Sequence, residues 1–185
     1  MAVSKKKVQK KALRFLKRPT VIGFVIIILT LGFEFYSQEL YTRKFISKDV
    51  RVVDGDTIVL DDIRIRLQGV DAPESKQMCR LKGKEIPCGT YATQQLSKMI
   101  GRSVVECTDE GHDKYRRQLS YCYVGDRNLN RKMVRDGYAV AYSYFDITFI
   151  FDEWLAKVQK KGLWTGEFEN PASWRKKQKK KQGRR

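Results

Sequence analysis

An apolar run of 13 residues, from Val21 to Phe33, limits how this chain can fold more than any other feature. Eight Lys and Arg residues and no acid precede the run within residues 1–18. The wider window 19–36 contains a single acidic residue, Glu34, and as a helix it would be roughly 27 Å long. This pattern indicates a membrane segment and confines the folded domain to the residues that follow it.

The same run also resembles the apolar core of a cleavable signal peptide. Residues 32–38 offer no pattern of small residues for cleavage, which favours an uncleaved anchor, although both readings remain open. More basic residues precede the run than follow it, so the positive-inside rule places the N-terminus in the cytoplasm. We therefore expect a single-pass protein of the bacterial inner membrane whose domain is periplasmic or extracellular, where disulfides can form.

The net charge of +17 is concentrated at the two ends of the chain. Residues 175–185 carry eight basic residues and no acid, as residues 1–18 do, and the remainder of the chain is close to neutral. Like-charge runs of this kind are typically disordered and interact with anionic surfaces. For the C-terminal run, contact with substrate, contact with lipid and simple solvation are all open, and substrate is favoured.

Composition and charge together predict five segments. They are a basic cytoplasmic tail (1–18), a transmembrane anchor (19–36), a tether (37–47), a folded domain (48–174) and a basic C-terminal tail (175–185). Hydrophobic residues make up 42% of the chain, which excludes a wholly disordered protein. The single His excludes any mechanism that needs two.

Alternation of apolar and polar residues predicts strands at the start of the domain. Ile63, Ile65 and Leu67 alternate with Arg64 and Arg66, which gives this strand a basic face. Three helices are predicted, each followed by a glycine: residues 90–100, 128–136 and 148–161. The sequence predicts a polar loop at residues 75–88 and irregular chain at residues 138–144. The order of these elements suggests a small β-barrel with helices packed against it.

Charged residues gather where the first strands end. Asp54 and Asp56 flank Gly55 at a strand break, Arg66 lies on the strand that follows, and Asp71 and Glu74 come just after it. Carboxylates are the ligands that a hard cation such as Ca²⁺ requires, and a guanidinium can hold a phosphate through two hydrogen bonds. Each element alone is more simply explained as a turn or a solvated strand face.

Taken together, four motifs resemble the staphylococcal nuclease (thermonuclease) family. They are Val53–Thr57, Arg66–Glu74, Asp113–Arg117 and Gly162–Trp164, and the resemblance extends over roughly residues 48–174. It implies a five-stranded OB-type barrel with about three packed helices. It also implies Ca²⁺-dependent hydrolysis of DNA and RNA.

The resemblance assigns roles to particular residues. It assigns catalysis to Arg66, Glu74 and Arg117. It assigns substrate contacts to Lys114, Tyr115, Tyr142 and Tyr144. It assigns metal binding to Asp56, Asp71 and the backbone carbonyl of Ala72. In these roles the arginines bind the phosphate and Glu74 activates the attacking water. Two positions depart from the family: Ala72 replaces a Thr, and Arg116 replaces a common Gly.

Four cysteines allow three pairings. Cys107 and Cys122 are equally distant from the centre of the predicted turn at Lys114 and Tyr115, so a hairpin would place them opposite each other. Cys79 and Cys88 would close a short loop after Glu74. These local pairs are favoured, and a zinc site is disfavoured because no Cys-x-x-Cys motif is present.

The main functional hypothesis is therefore a membrane-anchored, monomeric nuclease of low sequence specificity that acts on DNA and RNA. A non-catalytic nucleic-acid-binding module of the OB type is the alternative, because that fold also serves as a binding platform. A third possibility is a tethered structural or assembly protein that binds through its basic tails. Preference for DNA or RNA, and endo or exo cleavage, remain open.

Overall fold

The protein is described here by a computed structural model, which covers residues 19–41, 43–142 and 146–183. Residues up to Thr42 and residues from Arg43 onward form two separate units. The predicted N-terminal basic tail lies outside the described residues.

The first unit contains helix α1, Pro19–Tyr41, which includes the predicted anchor and continues into the predicted tether. Large apolar side chains along this helix are exposed, among them Phe24, Ile28 and Leu31. Within the described residues, no helix has both the length and the apolar character needed to cross a membrane. The membrane anchor accordingly stays a prediction.

The second unit is rich in short strands. In chain order they are β1 Lys44–Ser47, β2 Val50–Asp54, β3 Thr57–Leu60, β4 Ile63–Leu67, β5 Val70–Asp71, β6 Met78–Leu81, β7 Lys84–Pro87, β8 Val105–Thr108, β9 Gln118–Ser120, β10 Cys122–Val124, β11 Arg127–Asn128, β12 Val140–Ala141 and β13 Gly166–Glu167. Its helices are α2 Cys88–Ile100, α3 Leu129–Arg135, α4 Ile150–Val158 and α5 Pro171–Gln182, with a 3₁₀ turn at Gly162–Thr165.

Two four-stranded sheets form the scaffold, in the orders β2-β3-β4-β9 and β1-β8-β10-β11. Strands β2, β3 and β4 form an antiparallel meander, and β9 pairs with β4 in parallel. Residues 118–124 join the sheets, because the chain pairs with β4 before Tyr121 and with β8 after it. Among the described residues, backbone pairing leaves these as separate sheets and does not close the five-stranded barrel expected from the sequence.

The hydrophobic core lies between the sheets and the helices. The alternation predicted for β4 is confirmed for Ile65 and Leu67, which are fully buried, and for Arg64, which is exposed. Ile63, at the start of the strand, is exposed and does not follow it. In α2, Leu96 and Ile100 lie one helical turn apart and pack into the same core. The core therefore holds the ends of β3 and β4, which carry the candidate site, in fixed positions.

The three predicted helices are present, although α4 is shorter than residues 148–161 suggested. The prediction of a loop at 75–88 was wrong, because β6 and β7 form a hairpin there and β13 pairs with β6. Lys82 and Gly83 both adopt positive φ at its turn. Cys79 and Leu81 of β6 are buried while Met78 and Arg80 are exposed, so the burial of this strand does not follow a clear alternation of apolar and polar residues in the sequence.

Both predicted disulfides are confirmed. Cys107 and Cys122 are register partners on neighbouring strands, with their Cα atoms 4.1 Å apart. Cys79 and Cys88 connect β6 to the start of α2, with their Cα atoms 5.6 Å apart. All four cysteines are buried, and none is free.

The C-terminal basic segment differs from the disordered run suggested by its charge, because residues up to Gln182 continue helix α5. The Asn170 side chain caps this helix by accepting a hydrogen bond from the backbone N–H of Ala172 at 3.0 Å. Pro171, at the first helical position, is buried against the domain. Local capping and packing thus outweigh the repulsion between its lysines.

Candidate active site

The candidate site begins at the turn between β2 and β3, which places Asp56 in contact with Arg66 of the adjacent strand β4. Thr57 pairs with Arg66 across the β3–β4 ladder, so the two motifs face each other. Gly55 is required at this turn, because a Cβ atom there would lie 2.6 Å from the Cβ of Ala72. The turn is therefore packed directly against the Asp71–Glu74 segment.

Arg66 connects the two carboxylates to which the resemblance assigned metal binding. Its Nη1 donates to Oδ1 of Asp56 at 2.9 Å, and its Nη2 donates to Oδ1 of Asp71 at 3.1 Å. Both aspartates are almost completely buried. A buried carboxylate without a partner would be costly, so the two hydrogen bonds from this arginine compensate for the burial of both groups.

Asp56 also accepts hydrogen bonds from two other nearby groups. Its Oδ1 also accepts from the Thr57 hydroxyl at 2.9 Å, and its Oδ2 accepts from the backbone N–H of Ala72 at 3.2 Å. The carbonyl of Ala72, which the resemblance assigned as a ligand, therefore belongs to a residue held directly against Asp56. These contacts bring all three proposed metal-binding residues together.

Helix α5 contributes an arginine to this cluster that sequence reasoning assigned only to the basic tail. Arg175 donates to both oxygens of Asp71, at 2.8 and 2.9 Å, and to Oε1 of Glu74 at 2.9 Å. Burial raises the pKa of Asp71, while hydrogen bonds and charge from Arg175 oppose that rise. The only signal available in the sequence was an arginine one turn after Asn170 and Pro171, a capping pattern.

Asp54 adds a further acid beside this cluster. Burial, followed by the charge of Asp56, raises the pKa of Asp54 to about 6. The acidic side of the site therefore holds more carboxyl groups than its two guanidinium groups neutralise.

Glu74 is positioned by its backbone rather than by side-chain packing. Its N–H donates to Oε1 of Gln77 at 3.2 Å, and its carbonyl lies against Gly89 at the start of α2. A side chain at Gly89 would collide with that carbonyl, which explains the glycine. The carboxylate of Glu74 is thereby directed into a cleft, where its structural partner is Arg175.

The turn at residues 113–117, in the connection between β8 and β9, also lines the cleft. Asp113 accepts from Nε of Arg117 at 2.8 Å and from the backbone N–H groups of Tyr115 and Arg117. Burial raises the pKa of Asp113, but these hydrogen bonds outweigh it and the pKa is lowered overall. Arg116 adopts a φ of 62°, the left-handed region, which accounts for the Gly common at this position.

One cleft of about 990 Å³ unites most of the proposed residues. Six of the ten line it: Arg66, Glu74, Lys114, Tyr115, Arg117 and Tyr142. Asp56, Asp71 and Ala72 lie buried behind Arg66. Tyr144 lies outside the described residues. The wall includes further residues that the sequence did not assign to substrate: Arg64, His112, Asp146, Arg175 and Lys179.

The buried oxygen donors behind Arg66 fit a hard cation in chemistry. Asp56 and Asp71 offer carboxylate oxygens and Ala72 a carbonyl, the oxygen ligands that Ca²⁺ prefers, and the excess of acid created by Asp54 favours a cation. Within the described part of the chain, however, no three His, Cys, Asp or Glu side chains are arranged as a metal-binding cluster. Arg175 instead holds both oxygens of Asp71.

Strand-end carboxylates, arginines within hydrogen-bonding reach of them, and a basic cleft together define a site for an anionic ester. The comparisons with known proteins identify the family. Residues 64–166 match the family described as "Staphylococcal nuclease homologue". The chain belongs to the staphylococcal nuclease family, and both Asp56 and helix α5 lie outside the matched region.

Curated relatives agree with this assignment. The chain is 38% identical over 138 residues to "Thermonuclease" of Staphylococcus intermedius, an alignment that covers 67% of this chain and 80% of that protein. It is 34% identical over 144 residues to "Micrococcal nuclease" of Shigella flexneri, covering 68% and 78%. It is also 35% identical over 123 residues to "Uncharacterized endonuclease" of Escherichia coli O157:H7, covering 63% and 74%.

Proposed function

We propose that this protein is a nuclease that hydrolyses DNA and RNA phosphodiesters with low sequence specificity and requires Ca²⁺. The observation that carries the proposal is one cleft that brings together Arg66, Glu74 and Arg117, in a chain whose relatives are named nucleases. We also propose that its two sheets correspond to the OB-type barrel of the family.

The arginines supply charge stabilisation. A phosphodiester carries one negative charge and gains more at its equatorial oxygens as the reaction proceeds, so fixed guanidinium donors stabilise the transition state. Arg66 and Arg117 both line the cleft. Each is already oriented by ion pairs, Arg66 with Asp56 and Asp71 and Arg117 with Asp113. This preorganisation lowers the cost of placing them around a phosphate.

Glu74 is the candidate general base. A water molecule beside it would give its proton to the carboxylate as its oxygen attacks phosphorus. The bond from phosphorus to the leaving oxygen would break, and that oxygen would take up a proton from solvent. Glutamate can take this role without a histidine, because the base needs only hydrogen-bonding reach and a suitable pKa. Asp56, Asp71 and the carbonyl of Ala72 would hold Ca²⁺, which supplies Lewis-acid polarisation of a phosphoryl oxygen when bound.

Tyr115 and Lys114 would contact the ends of the bound strand. The ring of Tyr115 is exposed and has Lys114 5.1 Å from its centroid. An exposed ring beside a cation suits stacking against a base and contact with its phosphate. Tyr142 lines the same cleft and, with Tyr144, is proposed as a stacking wall.

We further propose that residues 19–36 anchor the protein in the bacterial inner membrane, with the N-terminus in the cytoplasm and a monomeric domain outside it. The support is the apolar run with eight basic residues before it. Extraction of membranes with alkaline carbonate tests the anchor, since an integral protein stays in the pellet. Release of the full chain into the supernatant would contradict it.

A binding module without catalysis is the alternative function. The cleft favours the enzyme, because it contains the carboxylate of Glu74 as well as Arg66 and Arg117, and a carboxylate would repel a phosphate that was only bound. The deciding experiment incubates the full-length protein in detergent with labelled single-stranded DNA and RNA, in Ca²⁺ or in chelator. Hydrolysis in the presence of Ca²⁺ but not of chelator supports the nuclease. Binding of the nucleic acid without hydrolysis in either condition supports the binding module.

A further inference from the structure

Helix α5 is part of the same structural unit as the cleft, yet it lies beyond the region that matches the family. Its N-terminal half and the residues just before it are held at several points. The Gln77 side chain donates to the carbonyl of Glu169 at 2.6 Å, and Lys177 pairs with the carboxylate of Glu169 at 2.8 Å. Together with the Arg175 contacts to Asp71 and Glu74, these bonds fix the direction in which the helix leaves the domain.

These contacts place one face of α5 along the cleft. Arg175 and Lys179 are four residues apart, one helical turn, and both line the cleft wall. Lys177, between them in sequence, lies away from this face and is occupied by Glu169. The helix therefore presents two cations to the cleft and directs another elsewhere.

The two cleft-facing cations differ in what they bind. Arg175 is neutralised by Asp71 and Glu74, whereas Lys179 forms no ion pair within residues 19–41, 43–142 and 146–183. Helix α5 carries six basic residues and no acid, so no neighbour on the helix neutralises it. Lys179 is exposed, which leaves its ammonium group available to an anion in the cleft.

Other cations of the cleft wall share this property. Arg64 and Lys114 also line the cleft without an ion pair in the described part of the chain. A nucleic-acid strand carries one phosphate per nucleotide, so cations spread around a cleft can each meet a different phosphate of one strand. The ester held by Arg66 and Arg117 needs only those two arginines, which leaves the remaining cations for its neighbours.

We infer that helix α5 is a wall of the substrate cleft and that Lys179 binds a phosphate of the nucleic-acid strand next to the one being cleaved. This inference rests on the proposed nuclease function and adds a substrate contact outside the family's matched region. The occupant is single-stranded nucleic acid, because a single strand can place successive phosphates against cations from separate elements of the chain.

The test compares two variants of the full-length protein in detergent, Lys179→Gln and Lys177→Gln. They remove the same charge from the same helix, two residues apart, and only the first faces the cleft. Binding to fluorescein-labelled oligothymidylate is followed by anisotropy in chelator at several salt concentrations. We expect Lys179→Gln to reduce the slope of log K against log salt by about 0.7, the value for one phosphate contact on a single strand. Lys177→Gln should leave the slope unchanged, and Lys179→Arg should retain it.

Steady-state kinetics supply a second readout. Lys179→Gln should raise KM severalfold with kcat within about twofold, because the contact holds substrate equally before and during the reaction. Equal slopes and equal KM for the Gln variants at 179 and 177 would overturn the inference while leaving the nuclease intact. Weaker binding of Lys179→Gln to vesicles containing phosphatidylserine, with unchanged oligonucleotide binding, would also overturn it in favour of a lipid contact. A wild-type protein that neither binds nor cleaves would instead refute the proposed function.

Discussion

Arg175 and Asp71 form a bidentate ion pair, in which Nη1 and Nη2 of the arginine lie 2.8 and 2.9 Å from the two carboxylate oxygens. The two residues are 104 positions apart in the sequence. Asp71 is a proposed Ca²⁺ ligand, and in this arrangement neither of its oxygens is left without a cationic partner. The C-terminal helix and a divalent cation therefore require the same carboxylate.

The first prediction concerns this competition. Arg175→Gln should bind Ca²⁺ about 10-fold more tightly than the wild type, which is about 1.4 kcal/mol, because a positive charge is removed from the carboxylates that the ion needs. Isothermal titration calorimetry on the full-length protein measures the affinity, with Lys177→Gln as the control of equal charge. Weaker Ca²⁺ binding in Arg175→Gln would show that the arginine supports the metal site instead.

The second prediction concerns the general base. Glu74→Gln should lower kcat by about 10²–10⁴-fold, the usual contribution of a positioned base. Substrate affinity should be retained, since the amide keeps the shape of the side chain. Glu85→Gln, an exposed carboxylate on β7, is the control. Turnover near the wild-type rate in Glu74→Gln would place the base at another residue.

The third prediction concerns Arg66, whose two Nη atoms reach Asp56 and Asp71 at the same time. A lysine offers a single point charge and cannot span both carboxylates. Arg66→Lys should therefore lose most activity and also about 1–3 kcal/mol of unfolding free energy, as expected when a buried charge loses a partner. Urea unfolding and the nuclease assay measure the two effects, with the exposed Arg51→Lys as control. An unfolding free energy equal to that of the wild type would mean that Arg66 is not needed to stabilise the buried carboxylates of Asp56 and Asp71.

The fourth prediction concerns alkaline stability. The hydroxyl of Tyr121 donates to Asp146 at 2.6 Å, and burial together with this bond raises the pKa of Tyr121 to about 12 from its ordinary 10.0. The neutral phenol is thus favoured in the folded state. Its contribution to stability is complete below pH 10 and is lost as the pH rises from about 10 to 12.

Urea unfolding at a series of alkaline pH values tests this. The wild type should lose stability over that window, and Tyr121→Phe should lose less, because it has no phenol to ionise. Tyr123→Phe, on the neighbouring strand, serves as the control. A Tyr121→Phe protein with the same alkaline slope as the wild type would refute the assignment.

The fifth prediction concerns the disulfide between β8 and β10. Cys107 and Cys122 are 15 residues apart, and a loop of this length gives a stabilisation of about 3 kcal/mol. The double variant Cys107→Ser/Cys122→Ser should unfold at correspondingly lower urea. Peptide mapping without reductant should recover this pair and the Cys79–Cys88 pair. Free thiols at all four positions in protein from its native compartment would contradict both bridges and the exported topology.

Parts of the fold that depend on local sequence patterns could be predicted. The alternation in β4 located the buried Ile65 and Leu67 and the outward-facing Arg64, and the hairpin symmetry located the Cys107–Cys122 pair. The glycine after each apolar stripe marked where α2 ended. These features depend on the repeat of apolar residues or on a turn within one short stretch of chain, and both can be found in the sequence itself.

Features that depend on contacts between distant segments could not be predicted in this way. The β6–β7 hairpin has only two buried residues in β6, and it is tied to the rest of the domain by the Cys79–Cys88 bridge and by pairing with β13. Likewise, nothing in a run of lysines shows that Arg175 reaches Asp71. The proposed site residues were found through motif resemblance, whereas Arg175 and Lys179 became visible only when the chain end was placed beside the cleft.

The most direct test of the central claim is hydrolysis of labelled single-stranded DNA and RNA by the full-length protein, with Ca²⁺ titrated against a chelator. The account predicts cleavage of both polymers that stops when Ca²⁺ is removed, returns when it is restored, and is largely lost in Glu74→Gln. Cleavage that persists in excess chelator would contradict the metal assignment. Tight binding of either polymer without any cleavage in Ca²⁺ would contradict the nuclease itself.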